Sequence, residues 1–188
     1  MPSFPLPLRR LLVAVLLCGA MLAGTTACGG GDDKDTKAGT SASPSASTTA
    51  QKQKLAKTRF VANAGIAAGA TYQWIVKPWK AGKFKKGADG RKVALVKAGL
   101  AGALTYNRLK AAKKNAEGDP KLSKAIAPLT SGIDALKDLP GKLRKGEGTD
   151  SVASSFDDII NKVKGAGNDA GAEVKNKVPS TSELRNAG

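Results

Sequence analysis

The sequence predicts an all-α protein, a small antiparallel bundle of about four helices that follows a signal peptide and a disordered linker. Apolar residues after residue 51 recur at spacings of three and four, as on the buried face of a helix. Aromatic residues make up only 4% of the chain, which is low for a β-sandwich. Proline and glycine separate the periodic stretches by short connections, as in antiparallel bundles.

The first two helices are predicted over residues 52–77 and 89–116. Pro78 is expected to end the first helix, because proline has no N–H and its ring clashes with the preceding turn. Asp89 is expected to cap the second helix, and Gly118 to follow its end.

The third and fourth helices are predicted from their start signals. Asp119 and Pro120 stand in the preferred order of a cap and a first-turn proline. Pro128 and Pro140 should then bend or restart the third helix. The fourth helix is expected from about residue 149 to Pro179.

These patterns divide the chain into four predicted segments: a signal peptide over 1–27, a flexible linker over 28–50, a basic helical domain over 51–179 and a disordered tail over 180–188. The linker consists mainly of Gly, Ser, Thr, Ala and Asp without a large apolar side chain. Such a segment buries too little surface to become ordered.

The amino-terminal segment has the pattern of an export signal. Arg9 and Arg10 precede the apolar run 11–17, and small residues then lead to Cys28 in the motif T-T-A-C. This motif resembles the lipobox of bacterial lipoproteins. The Arg pair leaves two export routes open, the general secretory route and the twin-arginine route.

The resemblance implies a diacylglyceryl thioether on Cys28, which becomes the first residue after cleavage. The protein would then be held by lipid at the outer face of the cytoplasmic membrane. An Ala- and Gly-rich chain with such an anchor is typical of an actinomycete-like, Gram-positive source.

The first two helices share a repeat, in which residues 64–72 parallel residues 98–106. Small residues at one-turn spacing, Gly65 and Gly69 with Gly99 and Gly102, predict close packing against another helix. The alternative interpretation is a hairpin that inserts into lipid or self-associates.

Positive charge is concentrated in the first three helices. Residues 51–145 carry 22 Lys or Arg against 5 acidic residues, whereas residues 146–188 carry 5 against 7. An excess this large should attract polyanions at low salt.

The densest cationic stretch, residues 72–86, contains both tryptophans of the chain. Aromatic rings beside lysines suit a lipid interface, where cations meet phosphates. We therefore predict contacts with anionic lipid headgroups or cell-wall polyanions. The alternative is that the tryptophans close the end of the bundle while the lysines face water. The predicted contact residues are Lys77, Trp79, Lys80, Lys83, Phe84, Lys85 and Lys86.

No catalytic pattern accompanies this charge. The chain has no His, no Ser-x-x-Lys pair and no phosphate-binding glycine loop, so neither an enzyme nor a cofactor or metal is expected. Nothing beyond charge favours nucleic acid. The leading hypothesis is an interaction or structural lipoprotein; the alternatives are a binding module for a protein or small ligand between the Gly-rich helices, and an uncharacterised enzyme.

Overall fold

A computed structural model describes residues 44–186, with side chains from residue 48, and every regular element in this range is helical. The predicted all-α bundle is confirmed. Cys28, the signal peptide and residues 28–43 of the linker lie outside the described residues. The elements are α1 (Pro44–Thr71), a π-helical turn (Tyr72–Val76), α2 (Lys77–Lys80), α3 (Arg91–Ala116), α4 (Pro120–Ile126), a 3-10 turn (Ala127–Leu129), α5 (Thr130–Ala135), α6 (Leu139–Lys145), α7 (Thr149–Asp169) and α8 (Thr181–Arg185).

The centre of the fold is an antiparallel hairpin of α1 and α3. Its direction follows from the contacts between the two helices, since Trp74 lies near Lys97 and Asn63 lies near Arg108. Buried alanines fill most of this interface, and their small side chains let the helices approach closely. The other helices pack around the hairpin, with α6 against α3 and α7 against α1 and α4. Larger side chains complete the core, including Phe60, Leu109, Leu122, Ile133, Leu143 and Phe156.

The prediction that Pro78 ends the first helix is wrong. The helix continues through a π-helical turn, in which the Lys77 N–H donates to the carbonyl of Tyr72, and then through α2 to Lys80. A proline ring collides with the carbonyl four residues earlier in a regular helix, and a π turn changes the backbone geometry at that place. The bulge therefore accommodates the proline without ending the helix.

The boundaries of α3 and α4 follow different caps. Asp89 does not cap α3; Gly90 is the cap residue, with φ of 70°, and no side chain caps the helix. The carboxylate of Asp119 does cap α4, because it accepts a hydrogen bond of 2.9 Å from the Leu122 N–H. The predicted interruptions are also found, as a 3-10 turn at Pro128 and a restart as α6 at Pro140.

Both ends of the described region differ from the prediction. The first helix begins at Pro44, inside the predicted linker. The fourth predicted helix ends at Asp169 rather than Pro179, because Gly171 adopts φ of 69° and turns the chain out of the helix. Residues 172–180, called the strap below, are nonhelical. Helix α8 then forms where a disordered tail was predicted, with a Ser180–Glu183 capping box and a buried Leu184.

No helix among residues 44–186 combines the length and apolarity needed to cross a bilayer.

Candidate functional site

The glycine face of α1 is covered by the strap and not by the helix that we predicted. The Lys177 N–H donates a 2.8 Å hydrogen bond to the carbonyl of Gly65. A Cβ on Gly65 would lie 2.7 Å from the carbonyl oxygen of Lys175, and one on Gly69 would overlap the backbone of Lys177. These two glycines therefore make room for another stretch of backbone.

The glycines of α3 are also covered. A Cβ on Gly99 would overlap the side chain of Arg144, which belongs to α6. A Cβ on Gly102 would lie 3.0 Å from the ring of Phe156, on α7. The two glycine faces are filled by other parts of the chain, so the structure gives no support to a ligand groove along them.

The sequence repeat brings equivalent residues of α1 and α3 together. Thr71 and Thr105 are both buried, and their hydroxyl oxygens lie 3.0 Å apart. Because both side chains are polar and fully buried, this hydrogen bond satisfies groups that would otherwise destabilise the interface. The middle of the hairpin is thus closed and internally satisfied.

The end of the hairpin differs from its closed middle, because among the described residues its charged side chains have no partners of opposite charge. We call this end, residues 72–97, the hairpin tip. This stretch carries eight Lys or Arg and one acidic residue. The predicted contact lysines Lys77, Lys80, Lys83, Lys85 and Lys86 are all exposed. In the described region, the salt bridges join Lys57 to Asp119, Lys113 to Asp134 and Lys175 to Glu173, all outside the tip. The tip therefore presents an unbalanced positive charge.

An open groove of about 590 Å³ lies within the hairpin tip. Trp74 and Pro78 line one side, and Val93 and Ala94 of α3 line the other. Val93 is 59% exposed, which is high for an apolar side chain of its size. Lys77, Lys83 and Lys97 also line the groove, together with Gln73, Ala81, Asp89 and Gly90. Apolar walls are thus combined with several ammonium groups.

Trp74 links the groove to the charge of the tip. The Lys97 ammonium lies 5.5 Å from the centroid of the indole ring, within the range of a cation–π contact. The indole Nε1 of Trp74 is buried and has no hydrogen-bond partner among the residues described. An unpaired buried donor costs about 1–3 kcal/mol, so this nitrogen is the least satisfied polar atom of the site.

Two of the predicted contact residues have structural roles instead. Phe84 is only 3% exposed and belongs to the core, and its carbonyl accepts a 2.9 Å hydrogen bond from Nε of Arg91. The Nε1 of Trp79 donates a 2.6 Å hydrogen bond to Asp150 at the start of α7. Both residues fix the turn between α2 and α3, and so position the lysines.

Sequence reasoning missed the contribution of α3 to this site. Val93 and Lys97 are four residues apart and share a helix face, but this face could not be paired with Trp74 from the sequence alone. The usable signal was Val93 and Val96, two apolar residues beside the charged start of α3. Both are more than half exposed.

No group of three or more potential metal ligands occurs in the described part of the chain. No protein-family model, curated protein or solved structure matches this chain.

Proposed function

We propose that this protein is an exported lipoprotein, anchored through Cys28, whose hairpin tip binds the anionic surface of a membrane. The observation that carries the proposal is the combination of exposed lysines with an open apolar groove in residues 72–97. Lysines near an anionic bilayer each contribute about 1 kcal/mol of binding free energy. Exposed apolar side chains among them add contacts with the acyl region.

Two attachments would act together in this arrangement. A diacylglyceryl group carries two acyl chains, and dual acylation already gives stable anchoring. The hairpin tip is a polybasic patch that would bring the folded domain itself into contact with the bilayer. The lipid would retain the protein at the bilayer, and the tip would add electrostatic attraction for anionic headgroups.

A membrane is favoured over a hydrophilic polyanion such as a wall polymer by the apolar part of the tip. A polymer of phosphates would pair with Lys80, Lys85 and Lys86 but would leave Val93 and Val96 in water. A bilayer interface offers both kinds of partner. The apolar groove therefore supports lipid as the partner of the tip.

Vesicle binding tests the tip directly. Residues 42–188 form a compact unit that contains the whole described core, so this fragment can be measured without the lipid anchor. We expect it to bind anionic vesicles at low salt and to dissociate as salt rises. The triple variant Lys80→Gln, Lys85→Gln and Lys86→Gln should bind about a hundredfold more weakly, at about fivefold per lysine.

The matched control removes the same charge at the other end of the hairpin, with Lys114→Gln, Lys121→Gln and Lys124→Gln. These three lysines are also exposed. Long-range attraction falls equally in the two triples, whereas contact with the bilayer falls only in the tip triple. Equal binding of anionic and neutral vesicles, or equal loss in both triples, would refute the proposal for the tip.

The anchor needs a separate measurement. The intact mass of the protein in the membrane fraction should equal that of residues 28–188 plus a diacylglyceryl group and any acylation of the new amino terminus. Cys28→Ala should remove this species. A mature wild-type protein of unmodified mass would overturn the anchor and leave the vesicle result standing.

A further inference from the structure

The groove of the hairpin tip has the dimensions of a site for one small molecule. Its volume of about 590 Å³ lies within the range of about 300–1,000 Å³ that is common for ligand pockets. Trp74, Pro78 and Val93 give it an apolar lining. Such pockets typically combine apolar walls with a few polar groups that fix the orientation of the ligand.

The charges around the groove select an anion. Lys77 belongs to α2, Lys83 to the turn and Lys97 to α3, so three different parts of the tip contribute an ammonium group. Asp89 is the one carboxylate among the residues that line the groove. The cations are in excess, and a ligand with an anionic head would balance them.

We infer that the groove binds one molecule of a single-chain anionic amphiphile. Its alkyl chain lies along Trp74, Pro78 and Val93, and its phosphate or carboxylate head pairs with the lysines at the rim. This inference rests on the proposed function in one respect, because the bilayer beside the tip supplies the amphiphile.

Dodecyl phosphate below its micelle concentration is the probe that tests the groove. The fragment 42–188 keeps both tryptophans in this test, because Trp79 is hydrogen-bonded to Asp150 and fixes the turn beside the groove. Titration should give a saturable change in tryptophan fluorescence with one molecule bound per protein. Affinity should rise by up to about fourfold per methylene from octyl to dodecyl phosphate, because each methylene leaves water for the groove.

Two further ligands separate the contributions that the charged head and the alkyl chain make to binding. Dodecyl maltoside has the same chain and no charge, and should bind at least about fivefold more weakly, the contribution of one lysine. Inorganic phosphate has the charge and no chain, and should give no saturable change. Equal binding of dodecyl maltoside would show that the groove has no preference for an anionic head. Equal binding of inorganic phosphate would show that the groove does not bind the alkyl chain. Either result would overturn the inference.

A pair of matched variants locates the ligand. Val93 and Val178 are exposed to a similar degree, at 59% and 53%, but only Val93 lines the groove. Val93→Asn should weaken the binding of dodecyl phosphate by about tenfold, because the apolar contact with the alkyl chain is lost and no charge is added. Val178→Asn should leave it unchanged. A similar loss in both variants would place the ligand elsewhere and overturn the inference.

Vesicle measurements on the same proteins separate this inference from the proposed function. If the fragment binds anionic vesicles but not dodecyl phosphate, the groove has no such ligand and the surface function stands. If it binds dodecyl phosphate but not vesicles, the groove is a ligand site and the surface function fails.

Discussion

The middle and the tip of the α1–α3 hairpin belong to the same two-helix element, but the middle is covered by other parts of the chain and the tip is open to solvent. In the middle, small residues let other parts of the chain approach, and the strap, Arg144 and Phe156 fill the space. At the tip, large apolar side chains and lysines surround a groove that nothing in residues 44–186 fills. The difference indicates that small residues serve the stability of this fold, whereas the unfilled tip is available for binding.

Filling the space at the middle of the hairpin should have the largest effect on stability. Gly69→Ala should lower the free energy of unfolding by about 3 kcal/mol, because the new methyl group overlaps the backbone of Lys177 and must displace the strap. Urea unfolding followed by circular dichroism measures the change.

Gly165→Ala is the matched control for Gly69→Ala. Gly165 is also helical, but a Cβ there meets no other atom within 4 Å. This substitution should raise stability by about 0.5–1 kcal/mol, as alanine does in an open helical position. If both variants were equally stable, the strap would not depend on the glycine face.

A smaller loss is expected at the end of the hairpin opposite the tip. The carboxylate of Asp119 is buried, caps α4 and lies 3.7 Å from the ammonium of Lys57. Asp119→Ala should lower the free energy of unfolding by about 1–2 kcal/mol, chiefly through the lost cap. Asp138→Ala is its control, since Asp138 precedes α6 without a side-chain cap. Equal losses in the two variants would contradict the role of the cap.

Substitution of the exposed lysines at the tip should have little effect on stability. Lys83→Gln, Lys85→Gln and Lys86→Gln should each change the free energy of unfolding by no more than about 0.5 kcal/mol, because these side chains are exposed. Urea unfolding measures this change, as for Gly69→Ala. A loss as large as that of Gly69→Ala would show that the tip, like the middle, is a structural region.

The smallest expected effect is a pH dependence in α8. The Ser180 backbone N–H, and then its hydroxyl, hydrogen-bond to the Glu183 carboxylate and lower its pKa from the ordinary value of 4.5. A lowered folded-state pKa contributes stability above the unfolded-state pKa, and this contribution is lost as pH falls through the folded-state value. Glu183→Gln should remove that part of the acid dependence of the melting temperature. A wild type and variant with parallel acid profiles would contradict this assignment.

The sequence predicted the features that local chemistry decides. The Asp119–Pro120 start, the interruptions at Pro128 and Pro140, and the all-α class depend on neighbouring residues and were predicted correctly. Pro78 was misjudged because a π turn at residues 72–76 accommodates it, and a π turn has no sequence signal comparable to that of a cap or a proline. The strap was misjudged because Gly171 leaves the helix with a positive φ, and the strap then packs on Gly65 and Gly69, which lie far away in the sequence.

The same limits apply to the site. The exposed lysines could be predicted, because charge is read directly from the chain. The burial of Phe84 and the bond from Trp79 to Asp150 could not, since both depend on residues far away in the sequence. The groove itself needs Trp74 and Val93 to face each other across the turn, which only the folded hairpin provides.

The position of the strap late in the chain also determines when the glycine face of α1 is covered during synthesis. The strap follows far behind α1 in the chain, so a polypeptide that emerges amino terminus first exposes the glycine face until residues 175–178 appear. The packing of this face of α1 is therefore completed late, although α1 is the first of the described helices in the chain.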